Sequence, residues 1–312
     1  MAPPSGHRSS PSGRRSSPFR ARLADALDWA SARLLIGFLG LLRLLPARFA
    51  TDLAERVGRT LAPVLPRSRL AAANMARAFP ERSADEIGAW VRGVWGNTTR
   101  MVGEFVFLDT LLADEAGDRR VEVVGEEHLD ALAARGGPAI MFTGHTGNWE
   151  LLPLLAASKR LRISVLFRPL NNRYLGNDLL AARGLGSEHL VASRAGAAAT
   201  LSRVLREGGV VGLLTDQWFR RGVPVTFMGR QTRANPLAAK LARSHDAPIY
   251  PARCVRLPGG RFRLEVSPPL DPPRDAGGAI DVAATTQAIT DVVEGWVREH
   301  PDQWLWLHRR WK

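Results

Sequence analysis

The spacing of apolar positions changes once along the chain. From Asp52 to about Leu112 they recur at three- and four-residue intervals. In "SADEIGAWVRGVWGNTTRMVGEFVF", Ile87, Val91, Val94, Trp95, Met101, Val102 and Phe105 predict a core helix. Ser83 and Glu86 open it with a capping box, and Pro63, Pro66 and Pro80 punctuate the helical pattern around it. Beyond Arg119 short strand-like runs take over: "RRVEVVG", "PAIMFTG", "RISVLFRP", "EHLVAS", "VVGLLTD", "VPVTFMG", "PIYPARCVRL" and "RFRLEVSPPL". Most are separated by helical segments such as "EEHLDALAARG", "LLPLLAASKRL", "NNRYLGNDLLAARGLG" and "AGAAATLSRVLREGG". This alternation predicts an α/β fold, a mixed, largely parallel sheet flanked by helices. "LPGGRF" predicts a hairpin turn, and the last helix is expected from about Asp281 to Glu299.

Two segments precede the main domain, which is expected over residues 49–312. Residues 1–22 hold five arginines, no acidic residue and many Ser, Pro and Gly, which predicts a disordered basic arm. Residues 23–48 contain an apolar run from Leu34 to Leu45 that Arg43 interrupts, short of the ~20 residues needed to span a bilayer. No small-residue cleavage site follows, so a signal peptide is not expected. The segment predicts an N-terminal membrane-associated helix lying in the interface, with Trp29 and the flanking arginines at headgroup level. A tilted span and a helix packed on the protein's own core are the alternatives.

With 312 residues, 45% of them hydrophobic, the chain can bury a full core. Its 43 basic residues outnumber 30 acidic ones, and the only lysines are Lys159, Lys240 and Lys312. Arginine suits bidentate contacts with phosphate or carboxylate, so anionic lipid, nucleic acid or an acidic protein are candidate partners. No helix-turn-helix, zinc-finger or aromatic-strand RNA motif is found, and no specific nucleic acid partner is expected. Cys254 is the only cysteine, which excludes an intrachain disulfide and a cysteine-rich metal site. No zinc signature is present, and neither a metal nor a cofactor is expected.

The chemistry concentrates in "GHTGNWE", Gly144 to Glu150. Gly144 permits a sharp turn after the apolar run "PAIMFT", which places His145 at a strand's carboxyl end, where open α/β sheets bind ligands. Five residues of regular helix would splay His145 and Glu150 by about 140°. The loop-forming Thr146, Gly147 and Asn148 instead allow the chain to fold back before a helix starting near Trp149, so the Glu150 carboxylate can approach the imidazole. A carboxylate on one ring nitrogen fixes the tautomer and stabilises the imidazolium formed on proton uptake. The first turn of that helix offers free N–H groups to negative charge. No G-x-S-x-G is present, so His145 is expected to deprotonate a hydroxyl of the substrate itself.

"GHTGNWE" resembles the histidine–four residues–acid motif of the lysophospholipid acyltransferase superfamily, in the form of the late acyltransferases of lipid A biosynthesis, the lauroyl/myristoyl family. "NMARAFPE" (Asn74 to Glu81), "LFRPLNN" (Leu166 to Asn172), "LLTDQ" (Leu213 to Gln217), "VTFMGRQT" (Val225 to Thr232) and "PDQWLWLHRRWK" agree in order, and the similarity covers about residue 25 to the end. The resemblance implies transfer of a fatty acyl chain from acyl carrier protein, or acyl-CoA, to a hydroxyl of a lipid A precursor on the cytoplasmic side of the cell inner membrane. It implies His145 as general base with Glu150 as its partner, and Arg168, Asn148, Asp216 and Gln217 as substrate-binding residues. Another anionic glycolipid or a lysophospholipid acceptor, as in the phosphatidylinositol mannoside acyltransferases, is the alternative. The basic, aromatic "WLWLHRRWK" is compatible with a membrane belt, a phosphate contact, or packed tryptophans with exposed arginines. The last of these is the expectation.

Overall fold

The computed structural model describes residues 18–112, 120–169, 172, 174, 175, 186 and 189–312. The basic arm up to Ser17 and most of the helix predicted in "NNRYLGNDLLAARGLG" lie outside them. Helix α1 spans Pro18–Leu42, so it begins within the segment expected to be a disordered arm. Pro18 sits at the first helical position, which tolerates its missing N–H. The single helix expected over residues 23–48 is two: Pro46 precedes a second helix, α2, at Ala47–Leu61. Helices α3 (Ser68–Ala78) and α4 (Ala84–Glu104) follow. The capping box at α4 forms as the sequence predicts, with Glu86 N–H donating to Ser83 Oγ and Ser83 N–H to the Glu86 carboxylate. A short helix, α5, occupies Leu108–Leu111.

The remainder is α/β. In chain order come β1 (Val121–Val124), α6 (Glu126–Arg135), β2 (Ala139–Thr143), α7 (Leu151–Ser158), β3 (Ile163–Phe167), β4 (Leu190–Ala192), α8 (Ala197–Arg206) and β5 (Val210–Leu214). Then follow β6 (Val223–Phe227), β7 (Arg230–Ala234), α9 (Leu237–His245), β8 (Ile249–Leu257), β9 (Arg261–Val266) and α10 (Val282–Glu299). The main sheet has seven strands in the order β1-β9-β8-β2-β5-β3-β4. Strands β8, β2, β5, β3 and β4 run parallel, while β9 returns antiparallel to β8 through the predicted turn and carries β1 beside it. The mixed, largely parallel sheet is therefore as the pattern predicts.

The polar strand β7, "RQTRA", lacks an apolar signature and was not expected. It pairs with β6 in a separate hairpin whose turn residues Met228 and Gly229 both have positive φ, 52° and 67°, as a type I′ turn requires. Successive residues of β2 point to opposite faces of the sheet. Ile140 and Phe142 join the core that includes Trp304 and Trp306, whereas Ala139 and Met141 join the core under α6 and α7. Both faces are covered, which is why "PAIMFT" reads as an unbroken apolar run.

Candidate active site at the carboxyl rim of the sheet

Strands β2 and β5 are hydrogen-bonded neighbours, with Thr143 opposite Leu214. Two residues beyond each paired position stand His145 and Asp216, and this shared register brings them together. His145 Nδ1 lies 2.7 Å from Asp216 Oδ1, and the His145 backbone N–H donates to Oδ2 at 2.8 Å. Trp304 donates its indole N–H to the same Oδ2 at 2.6 Å. Asp216 is 2% exposed. Burial pushes its carboxyl up, but the charge and hydrogen bond of His145, with a contribution from His308, outweigh burial and hold it below the ordinary carboxylate value. An ionised carboxylate can only accept, so Nδ1 carries a hydrogen, and in the neutral imidazole the lone pair therefore sits on Nε2. The Gln217 amide nitrogen approaches that lone pair at 3.3 Å, and Trp149 stands edge-on to the ring at 4.8 Å.

The loop after His145 is fixed from three sides. Gly147 has φ 56°, and a Cβ there would lie 2.3 Å from the Cys254 carbonyl oxygen of β8. The chain turns after Gly144 as expected, with Thr146 N–H donating to the Gly144 carbonyl at 2.8 Å, and a second turn at Gly147 packs the loop against β8. Asn148 donates its backbone N–H to Cys254 Sγ at 3.3 Å, and burial pushes that thiol up to about 12, so it stays protonated. The 303–305 segment closes the loop: Gly147 N–H donates to Gln303 O at 3.2 Å and Leu305 N–H to His145 O at 3.0 Å.

Beneath the loop lies a buried polar network. The Asn148 amide donates to Glu104 Oε2 at 2.9 Å, and Glu104, 1% exposed, accepts a bidentate pair from Arg256 and a further bond from Arg100 Nε at 3.0 Å. Arg256 Nε donates to Asn97 Oδ1 at 2.8 Å, and the Asn97 amide reaches the carbonyls of Gly147 and Gln303. Arg100 continues to Asp52 and Glu55 on α2. A carboxylate between two arginines, with its remaining lone pairs used, is a satisfied arrangement for buried charge.

Against expectation, the carboxylate that orients the imidazole is Asp216, not Glu150. The ring's Nδ1 faces β5, while Glu150 immediately precedes α7, its backbone N–H donating to Asn148 Oδ1 at 3.3 Å. Helix α7 begins at Leu151, with Trp149 and Glu150 in the turn that leads into it, close to the expected start. Asn148, expected to bind substrate, is fully buried and spends its amide within the protein. Asp216, expected to line the site, is the buried partner of the imidazole. Arg168 follows β3 directly on the same rim with an exposed side chain, and Gln217 is exposed beside Nε2.

Trp304, Glu104, Asn97 and Arg256 were not anticipated. A signal was available on α4, where Asn97, Arg100 and Glu104 form a polar stripe at helical spacing within a core helix. The packed tryptophans of "WLWLHRRWK" are as expected, with Trp304 and Trp306 buried, but Arg310 is buried rather than exposed. It stacks over the Phe227 ring and donates to the Arg233 carbonyl, and burial pushes its guanidinium down to about 10. Among the described residues no cluster of histidine, cysteine or acidic side chains is placed to hold a metal ion.

A histidine held in one tautomer by a buried acid, at the open rim of an α/β sheet, is an arrangement chemically able to accept and return a proton. The chain belongs to the bacterial lipid A biosynthesis acyltransferase family, whose model matches residues 18–312. It is 32% identical over 191 residues to the phosphatidylinositol mannoside acyltransferase of Mycobacterium tuberculosis (strain H37Rv), a match covering 60% of this chain and 58% of that protein. The phosphatidylinositol mannoside acyltransferase of Mycolicibacterium smegmatis is 25% identical over 250 residues, 76% of this chain and 77% of its relative. The alignment with the Mycobacterium tuberculosis protein thus spans less than two thirds of that protein's length.

Proposed function

We propose that this protein transfers a fatty acyl chain from a thioester donor to a hydroxyl of an anionic glycolipid, with the phosphatidylinositol mannoside type of acceptor favoured. The observation that carries the reading is the His145–Asp216 pair, which leaves Nε2 free to accept a proton at the rim. Nε2 takes the proton of the acceptor hydroxyl as its oxygen attacks the thioester carbonyl carbon. The tetrahedral oxyanion is stabilised by backbone N–H groups or Arg168. The C–S bond then breaks, and the imidazolium returns its proton to the departing thiolate. No acyl-enzyme is formed. Gln217, at 3.3 Å from Nε2, marks the place the hydroxyl takes.

Acyl carrier protein or acyl-CoA is the proposed donor. The curated relatives support the phosphatidylinositol mannoside acceptor, while the family's description and the motifs shared with the lauroyl/myristoyl group support a lipid A precursor as a second reading.

A membrane surface is the proposed location of the acceptor. Among the described residues no helix is long and apolar enough to cross a membrane. Leu34, Phe38 and Leu41 on α1 and Phe49, Leu53, Val57 and Leu61 on α2 are nevertheless exposed, an apolar expanse suited to the bilayer interface. The cytoplasmic face of the inner membrane remains the proposed site.

The deciding experiment incubates purified protein with palmitoyl-CoA and either a phosphatidylinositol mannoside or a lipid A precursor, and reads the products by mass spectrometry. The expected result is an added acyl mass on the mannoside, lost in His145→Ala. Acylation of the lipid A precursor alone supports the second reading, and transfer undiminished in His145→Ala overturns the mechanism.

A further inference from the structure

A cavity of about 550 Å³ opens beside the catalytic pair and is not used by the chemistry above. Gln217 forms one end of its lining and so joins it to His145. The rest of the wall is dominated by Trp218, Leu70 and three cations, Arg67, Arg309 and Lys312, and none of the described residues lining it is acidic.

The wall is built rather than incidental. Arg67, just before α3, donates to the Leu307 carbonyl at 2.6 Å, and Asn74 of α3 donates to the His308 carbonyl at 2.9 Å, which pins the 307–312 segment against α3. Lys312 lies 4.0 Å from the centre of the Trp218 ring, so its ammonium is held at the wall by a cation–π contact. Three positive charges around an open cavity with no acidic side chain among the described residues of its lining suit a phosphate ester, which arginine and lysine bind with charge-assisted hydrogen bonds. The exposed apolar run of α2 ends near the same place: Leu61 and Val64 are exposed, and Pro66 also lines the cavity. A lipid with its tails in a bilayer against that run would bring its headgroup to this opening.

We infer that the Arg67–Arg309–Lys312 cavity is a subsite for the phosphodiester of the acceptor's lipid headgroup, holding the acceptor so that its hydroxyl reaches His145. The inference rests on the acyl-transfer reading for its purpose, but not for its test. Arg309→Gln/Lys312→Gln removes two charges whose side chains make no described hydrogen bond, and Arg230→Gln/Arg261→Gln, both exposed, serves as a charge-matched control. Calorimetric titration of the full chain with dihexanoyl phosphatidylinositol, which needs no catalysis, should show affinity weakened at least about tenfold in the cavity variant and unchanged in the control.

Equal affinity of wild type and cavity variant overturns the subsite, as does an equal loss in the control, which would indicate general charge attraction. A parallel titration with 4′-phosphopantetheine distinguishes the phosphate's source. Loss of affinity for that ligand with phosphatidylinositol binding intact would assign the cavity to the donor and overturn the inference. Binding that behaves as expected in a protein that transfers no acyl group would sink the enzymatic reading and leave the subsite standing.

Discussion

Trp304 and His145 donate to the same carboxylate oxygen of Asp216, one through its indole N–H and the other through its backbone N–H. The other oxygen is reserved for the imidazole. The acid is thus fixed in rotation as well as position, and the imidazole inherits its orientation from a side chain far along the sequence.

Asp216→Asn should lower kcat by about a hundred- to ten-thousand-fold, because an amide cannot stabilise the imidazolium and can force the wrong tautomer. Circular dichroism checks that the fold persists. Glu150→Gln, assayed alongside, should cost less. A larger loss at Glu150 would return the orienting role to that residue.

Removing the indole donor has a smaller and more specific effect. Trp304→Phe should cost about 1.5–3 kcal/mol in transition-state stabilisation or stability, the usual worth of a hydrogen bond to a charged group. Steady-state kinetics beside urea unfolding apportion the loss, and a variant indistinguishable from wild type in both would show the bond to be idle.

Position along the chain explains what could be read in advance and what could not. His145 was legible because β2 is an apolar run ending in glycine and histidine, a local signal. Its partner was not, because nothing local says that β5 lies beside β2 when β3 and β4 intervene in the chain. Parallel neighbours are chosen by how crossover helices pack, so the acid five residues away looked nearer than the one delivered by sheet order. The closing role of Trp304 was hidden for a similar reason: an aromatic-rich run signals burial but not the atom its N–H will find. The α/β class, the capping box at Ser83 and the β8–β9 hairpin were all carried by short-range patterns, and all formed.

Acid should weaken the fold through Asp216. Its folded carboxyl is held below the ordinary value, so its contribution to stability is fully present above the unfolded value of ~3.9 and is lost as pH falls through the folded one. Urea midpoints measured from about pH 7 down to about pH 3 should fall below about pH 4, and Asp216→Asn should flatten that part of the curve. An unchanged slope in the variant would mean other carboxylates govern acid unfolding.

Glu104→Gln strips the carboxylate from Arg256 and one of three carboxylates from the buried Arg100, which keeps Asp52 and Glu55. The expected destabilisation is about 3–5 kcal/mol, as for a broken buried ion pair. Chemical denaturation measures it directly, and a loss under about 1 kcal/mol would place the network among weakly coupled surface pairs.

Phe49→Ser/Leu53→Ser/Val57→Ser should reduce co-sedimentation with anionic vesicles, since each side chain contributes up to about 1.5–3 kcal/mol when buried in an apolar phase. The fold should hold, because α2 packs inward through Ala50, Thr51 and Gly58 instead. Undiminished sedimentation would locate membrane contact elsewhere.

The backbone closure by Gln303 and Leu305 has a temporal side. A nascent polypeptide exposes His145 to the cell long before residue 303 leaves the ribosome, yet until then the loop that aims the imidazole is unfinished and Asp216 lacks one of its donors. On the acyl-transfer reading proposed above, a half-made copy lacks the finished pair, and protease clipping of the same stretch should disarm a complete one.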